Sequence, residues 1–236
     1  MNVIKTNNYS EMSQKAAIVI ASHMIRNPQC VLGLATGSTP EGMYEELIGM
    51  YKKSLIDFSQ ITTFNLDEYY NLPGDHSQSY RSFMREKLFD HVNINENNIH
   101  IPNGEADDPA AECERYEKSI DAAGGMDIQI LGIGQNGHIG FNEPDVRFAS
   151  MTHLVDLAES TRKANQRFFP SLDDVPRQAM SMGINTIMKS KNILLIANGA
   201  EKMDALHGMI EGPVTPALPA SILQVHPSVL VLYCES

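Results

Sequence analysis

The sequence predicts a single α/β domain, a three-layer α/β/α sandwich with a Rossmann-like, mostly parallel sheet. Three observations carry that reading. Short apolar runs at 30–35, 127–133 and 192–197 have the unbroken hydrophobicity of strands buried on both faces. Segments of helical periodicity alternate with such runs. Polar, glycine-rich turns follow several of the runs, where open α/β sheets bind their ligands. The chain has 236 residues, 42% hydrophobic and 20% charged, which suits one large core and shows no sign of disorder or repeats.

The elements follow in order. Met12, Ala16, Ile20 and Met24 recur every four residues, so Ser10 to about Arg26 reads as a helix closed by Pro28. Cys30 to Ala35 is a buried strand, followed by a Gly-Ser-Thr-Pro turn and a helix over about Pro40–Lys53. Ile61–Leu66 is a second strand ending at Asp67-Glu68, and residues 77–90 read as a helix. Asp108 and Pro109 fit an N-cap with proline at N1, ahead of a helical face of Cys113, Tyr116 and Ile120. Asp127–Ile133 is a strongly apolar strand, Thr161–Phe169 a helix, and Asn192–Ala197 another strand. Gly199–Ile210 is helical, and Ser228–Tyr233 is a last strand that pins the chain end into the sheet.

Charge narrows the partners. The formal net charge is −11 and no Lys/Arg cluster occurs, which argues against nucleic acid and anionic membranes. A few convergent donors can still bind a small anion locally. Cys30, Cys113 and Cys234 have no metal-type spacing. An odd number without a secretory leader points to the reducing cytoplasm. The run Ala16–Ala21 is too short to span a membrane.

Three constellations carry chemistry. In Thr36-Gly37-Ser38-Thr39-Pro40-Glu41, a turn between strand and helix gathers backbone N–H groups at the positive end of a helix dipole. The same residues also fit a Ser38/Glu41 capping box, or Thr39 as an N-cap with Pro40 at N1. Asp67 sits at a strand's carboxyl end, where a carboxylate can serve as a general base; the plain alternative is that Asp67 or Glu68 starts a turn. Third, an apolar strand runs into Gly132-Ile133-Gly134-Gln135-Asn136-Gly137-His138-Ile139-Gly140-Phe141-Asn142-Glu143-Pro144. There His138 has a carboxylate, Glu143, that can orient its ring and stabilise its cation. No helix follows this turn, so the glycines are not a dinucleotide fingerprint. No His pairing marks a metal site, and the other histidines read as structural. Arg167 and Lys202 are candidate phosphate partners or ordinary surface cations.

Taken together, these motifs resemble the glucosamine-6-phosphate deaminase family. Thr36–Pro40, Asn65–Tyr69, Gly132–Pro144, Arg162–Phe169 and Gly199–Lys202 match it in order across nearly the whole chain. The resemblance implies conversion of glucosamine 6-phosphate and water to fructose 6-phosphate and ammonia, with no metal or organic cofactor. It implies that His138, assisted by Glu143 and with Asn136 beside it, opens the sugar ring, and that Asp67 moves a proton from C2 to C1. It assigns Gly37, Ser38, Thr39, Arg167 and Lys202 to the phosphate, and about 157–187 to a mobile lid. Some members have Asp at the position of Asn136; an amide there brings no negative charge toward His138. The allosteric, hexameric members carry basic residues where this chain reads Met151-Thr152-His153-Leu154-Val155, and a tail beyond the position of Ser236. The expectation is a monomer or small homo-oligomer without activation by N-acetylglucosamine 6-phosphate. Two other readings stand beside this one. A sugar-phosphate lactonase shares the fold and a Gly-His, and a non-catalytic sugar-phosphate sensor would carry a DNA-reading helix-turn-helix.

Overall fold

The computed structural model describes residues 1–235, apart from the side chains of Ser160 and Ala164; Ser236 lies outside the described residues. Strand β1 (Asn2–Lys5) leads into helix α1 (Tyr9–Arg26). Asn8 caps α1, its side chain accepting the Glu11 amide at 2.9 Å, while the Glu11 carboxylate accepts the Asn7 amide at 2.8 Å. Then come β2 (Val31–Leu34), α2 (Ser38–Lys52), β3 (Thr62–Asn65), the short β4 (Asp67–Tyr69), α3 (Tyr80–Lys87) and β5 (Ile99–His100). Helix α4 (Pro109–Ala122), β6 (Ile128–Leu131), β7 (His153–Asp156), α5 (Glu159–Asn165), β8 (Gln178–Ser181) and α6 (Ile184–Met188) follow. The chain closes with β9 (Ile193–Asn198), α7 (Met203–Glu211) and β10 (Val229–Cys234).

The main sheet has seven strands in the order β1-β10-β9-β6-β2-β3-β5, all paired in parallel. β2 and β6 are wholly buried and β9 nearly so, as their apolar runs require. The side chain of Gln129 lies across Gly33, where a Cβ would meet its Oε1 at 2.1 Å; only glycine fits opposite it. Strand order runs outward from β2 through β3 on one side and through β6 and β9 on the other. The crevice at this reversal lies outside the carboxyl ends of β2 and β6. The expected α/β class is therefore borne out.

A second sheet, β4-β8-β7, is antiparallel, and the sequence reading did not contain it. It rests on a satellite core that includes Tyr69, Phe141, Leu157, Phe169 and Val175. Other differences concern ends. The helix expected over 77–90 breaks at Leu88 (φ −147°, ψ −60°), and Phe89–His91 forms a 3₁₀ turn. The helices expected from Thr161 and from Gly199 are likewise composite. Gln166–Phe168 is a 3₁₀ continuation of α5, and Ala200–Lys202 is a 3₁₀ turn ahead of α7. Asp108 and Pro109 start α4 as expected, Asp108 accepting the amides of Ala110 and Ala111. The segment 157–187 contains α5, β8 and most of α6.

Candidate active site

The β6 exit loop is shaped by its glycines. The Gly134 amide donates to the His138 carbonyl at 2.9 Å, and the His138 ring lies 2.2 Å from where a Cβ on Gly134 would sit. Gly137 takes φ +84°, a left-handed value that disfavours other residues. The loop is thus folded back so that the imidazole covers its own first turn.

Around His138 the donors and acceptors are matched. Glu143 is ionised, so it can only accept. Burial pushes its carboxyl up, but hydrogen bonding and charge from His138, with help from Thr161 and Asn136, hold it at about 2. The Asn136 Nδ2 donates to Glu143 Oε2 at 2.6 Å. That fixes the amide orientation and turns Asn136 Oδ1 toward His138, where it lies 2.7 Å from Nδ1 and accepts the His138 backbone N–H at 3.2 Å. Facing an oxygen that only accepts, Nδ1 must carry the hydrogen. The ring's Nε2 is left as the lone-pair nitrogen, free to exchange a proton with a ligand. Glu143 Oε2 also lies 3.4 Å from Nδ1 and balances the cation when the ring is protonated.

Asp67 begins β4, two residues past the end of β3 and opposite Ser181 in the small sheet. The exit loop passes over it: a Cβ on Gly140 would lie 3.6 Å from Asp67 Oδ2. Burial, with the charge of neighbouring Glu68, pushes the Asp67 carboxyl up to about 8. Strand alternation sends Glu68 the other way. Its buried carboxylate accepts the amides of Tyr69, Tyr80 and Arg81, each at 2.9 Å, and so ties β4 to the first turn of α3. Neither Asp67 nor Glu68 starts a turn. Glu68's part in holding the base was missed from sequence, because its partners lie 12 and 13 positions away.

The β2–α2 turn meets the β9 exit. Neither capping alternative is realised: Gly37, at φ +95°, is the N-cap with no side-chain bond, and α2 starts at Ser38. The reason is that the Thr39 hydroxyl is already taken, donating to Asn198 Oδ1 at 2.7 Å. This bond ties the turn to β9 across the end of β6, and leaves Gly37 and Ser38 exposed at the helix N-terminus. The Tyr9 hydroxyl enters the first turn of α2, donating to the Ser38 carbonyl at 2.9 Å and accepting the Gly42 amide at 2.8 Å. Lys202 follows Gly199 in the 3₁₀ turn. Burial lowers its pKa, Glu201 opposes that, and the positive charge of Arg167 adds to the lowering. Arg167 comes from the 3₁₀ turn after α5, its guanidinium 4.6 Å above the Phe168 ring. Eight of the nine residues singled out from sequence thus lie at or just past the carboxyl ends of β2, β3, β6 and β9, and Arg167 lies in the 3₁₀ turn after α5.

Fold and site define a doubly wound α/β enzyme with His138, Glu143 and Asp67 at the exits of β6 and β3, and Gly37, Ser38, Thr39 and Lys202 at the exits of β2 and β9. A family model described as glucosamine-6-phosphate isomerases/6-phosphogluconolactonase matches residues 7–231. The chain belongs to that family. The glucosamine-6-phosphate deaminase of Clostridioides difficile (strain 630) is 55% identical over 236 residues, covering 100% of this chain and 95% of that protein. A solved structure of a monomeric glucosamine-6-phosphate deaminase superposes with a TM-score of 0.97 at 48% identity, covering 99% of this chain and 97% of that one. The 6-phosphogluconolactonase of Thermotoga maritima, at 21% identity and a TM-score of 0.75 over 100% of this chain and 99% of its own, shares the fold.

Proposed function

We propose that the chain is a glucosamine-6-phosphate deaminase of amino-sugar catabolism, releasing fructose 6-phosphate and ammonia. The observation that carries the reading is the pairing of a free imidazole Nε2 with a buried base, Asp67, on either side of one loop. The exposed N-terminus of α2, with Lys202 and Arg167, holds the phosphate and orients the sugar. His138 Nε2 takes the proton of the anomeric hydroxyl and returns one to the ring oxygen, so the pyranose opens to the aldehyde. The imidazolium formed on the way is balanced by Glu143, with Asn136 holding the tautomer. Asp67 then takes the C2 proton, and the electron pair left behind forms an enolamine across C1 and C2. The former aldehyde oxygen takes a proton from the substrate's own 2-ammonium group and becomes a hydroxyl. Asp67 returns its proton to C1, leaving an iminium at C2. Water adds to that carbon, the C–N bond breaks, and ammonia leaves.

Support comes from the 55% identity to a relative of this name over the full chain. The deciding assay measures ammonia and fructose 6-phosphate together. Equal release by the wild type is expected, with a loss of at least about 100-fold in Asp67→Asn. A lactonase releases no ammonia, and that result would sink the reading. Lys202→Ala should raise KM for the phosphorylated sugar by about tenfold, with little effect on an unphosphorylated one.

We also propose that the protein acts as a monomer in the cytoplasm. The solved deaminase at 48% identity is described as monomeric, and the three cysteines here are buried, as suits a reducing compartment. Light scattering checks the mass.

A further inference from the structure

Glu143 has two oxygens and they are held by different parts of the molecule. Oε2 is filled from within the catalytic loop, by Asn136 at 2.6 Å and with His138 Nδ1 at 3.4 Å. Oε1 accepts the hydroxyl of Thr161, on α5. Thr161 is 9% exposed and its hydroxyl is directed inward to the carboxylate. Helix α5 has other tethers, but they run to the satellite core and to its own segment: Asn165 Nδ2 to the Tyr69 hydroxyl at 2.9 Å, and Arg162 Nη2 to the carbonyls of Leu172 at 2.7 Å and Val175 at 3.2 Å. Thr161 is thus the bond by which α5 reaches the group that orients and balances His138.

We propose that Thr161 is a positioning residue that makes ring opening depend on the docking of α5. With its hydroxyl in place, both oxygens of Glu143 are fixed and Oε2 faces His138. Without it, the carboxylate is held at one oxygen and can rotate away, because its terminal torsion is broad. Undocking α5 therefore weakens the ring-opening pair while Asp67, set in β4 and supported by Glu68, stays in position. The inference rests on the proposed roles of His138 and Asp67, and it assigns the covering segment a chemical task besides excluding water.

Two assays separate the half-reactions. Ammonia release from glucosamine 6-phosphate needs the pyranose to open. Exchange of the C1 hydrogen of fructose 6-phosphate with deuterium oxide, in the presence of ammonium, uses Asp67 but starts from a sugar that opens on its own. Thr161→Val is expected to lower kcat for ammonia release about tenfold, with KM changed less than about twofold and C1 exchange kept within about twofold. Retained exchange also shows that the variant is folded. Thr161→Ser, which restores the hydroxyl, should recover most of the lost turnover. Equal loss of both activities in Thr161→Val, a change in KM alone, unchanged turnover, or failure of Thr161→Ser to recover would each overturn the proposal. His138→Gln serves as the control on the underlying reading. If it keeps full ammonia release, the site assignment itself fails, whatever Thr161 does.

Discussion

Asp67 shows how much of the chemistry is set by one residue's surroundings. Its carboxyl is pushed from an ordinary 3.8 up to about 8. A base must be ionised, so kcat/KM should rise with pH through an acidic limb near 8. The same shift costs stability. Below about 4 the group is protonated in both folded and unfolded chains and the cost is absent. Above that it grows with pH, because the unfolded chain ionises while the folded one does not, until it levels off above 8. Asp67→Asn should therefore abolish turnover yet raise the melting temperature, more at pH 7 than at pH 4. The effect has an upper limit set by about 1.4 kcal/mol per pKa unit. A melting temperature that falls equally at both pH values would contradict this. Burial pushes the Glu68 carboxyl up as well, but this carboxylate is bonded: Glu68→Ala leaves three backbone amides without their acceptor and should cost about 3 kcal/mol, read by denaturant unfolding. Sequence made Asp67, His138 and Glu143 legible because each sits in a short motif at a strand end. Glu68, Tyr9 and Thr161 were not, since their importance lies in partners 12 to 33 positions away that no periodicity reveals.

At the scale of elements, the first turn of α2 is the instructive one. A hydroxyl from α1 stands between the Ser38 carbonyl and the Gly42 amide, a pair that an ordinary helical turn joins directly. Gly42 also lacks room for a side chain, as a Cβ would lie 2.5 Å from Ser13 Oγ and 3.0 Å from the Tyr9 ring. The anion-facing end of α2 is thus set by α1. Tyr9→Phe keeps the ring packing and removes both bonds, so KM should rise about three- to tenfold with kcat little changed. Unchanged KM would show that the turn holds its shape unaided. The long elements were readable because continuous apolar runs and four-residue spacing persist over many residues. The small antiparallel sheet was not, because β4, β7 and β8 have three or four residues each, and β4 finds β8 only across the distance from Asp67 to Ser181. The 3₁₀ turns likewise depend on single backbone angles, such as φ +101° at Gly199, that composition does not specify.

For the whole molecule, sheet order decides where the loops meet, and order is invisible in the sequence. The reversal at β2 and β6 brings the exits of β2, β6 and β9 side by side, with β3 next to them, so one crevice receives motifs spread from residue 36 to residue 202. The segment 151–155 supplies no Lys or Arg for an anionic effector. Initial rates should follow a hyperbola in glucosamine 6-phosphate, unchanged by the N-acetylated sugar phosphate. A sigmoidal curve that this effector straightens would refute the prediction.

The position of β10 has a further consequence, for biosynthesis. β10 lies between β9 and β1, and β1 pairs with no other strand. β1 therefore has no place in the sheet until residues 229–234 have been made and have left the exit tunnel. Helix α1, which packs on β10 and β9 as well as on α2, completes its packing only then. Since Tyr9 of α1 shapes the first turn of α2, that turn is fully seated only once α1 is. A nascent chain arrested just short of β10 should be inactive and open to protease near its beginning, although nearly all of its crevice residues have already been made.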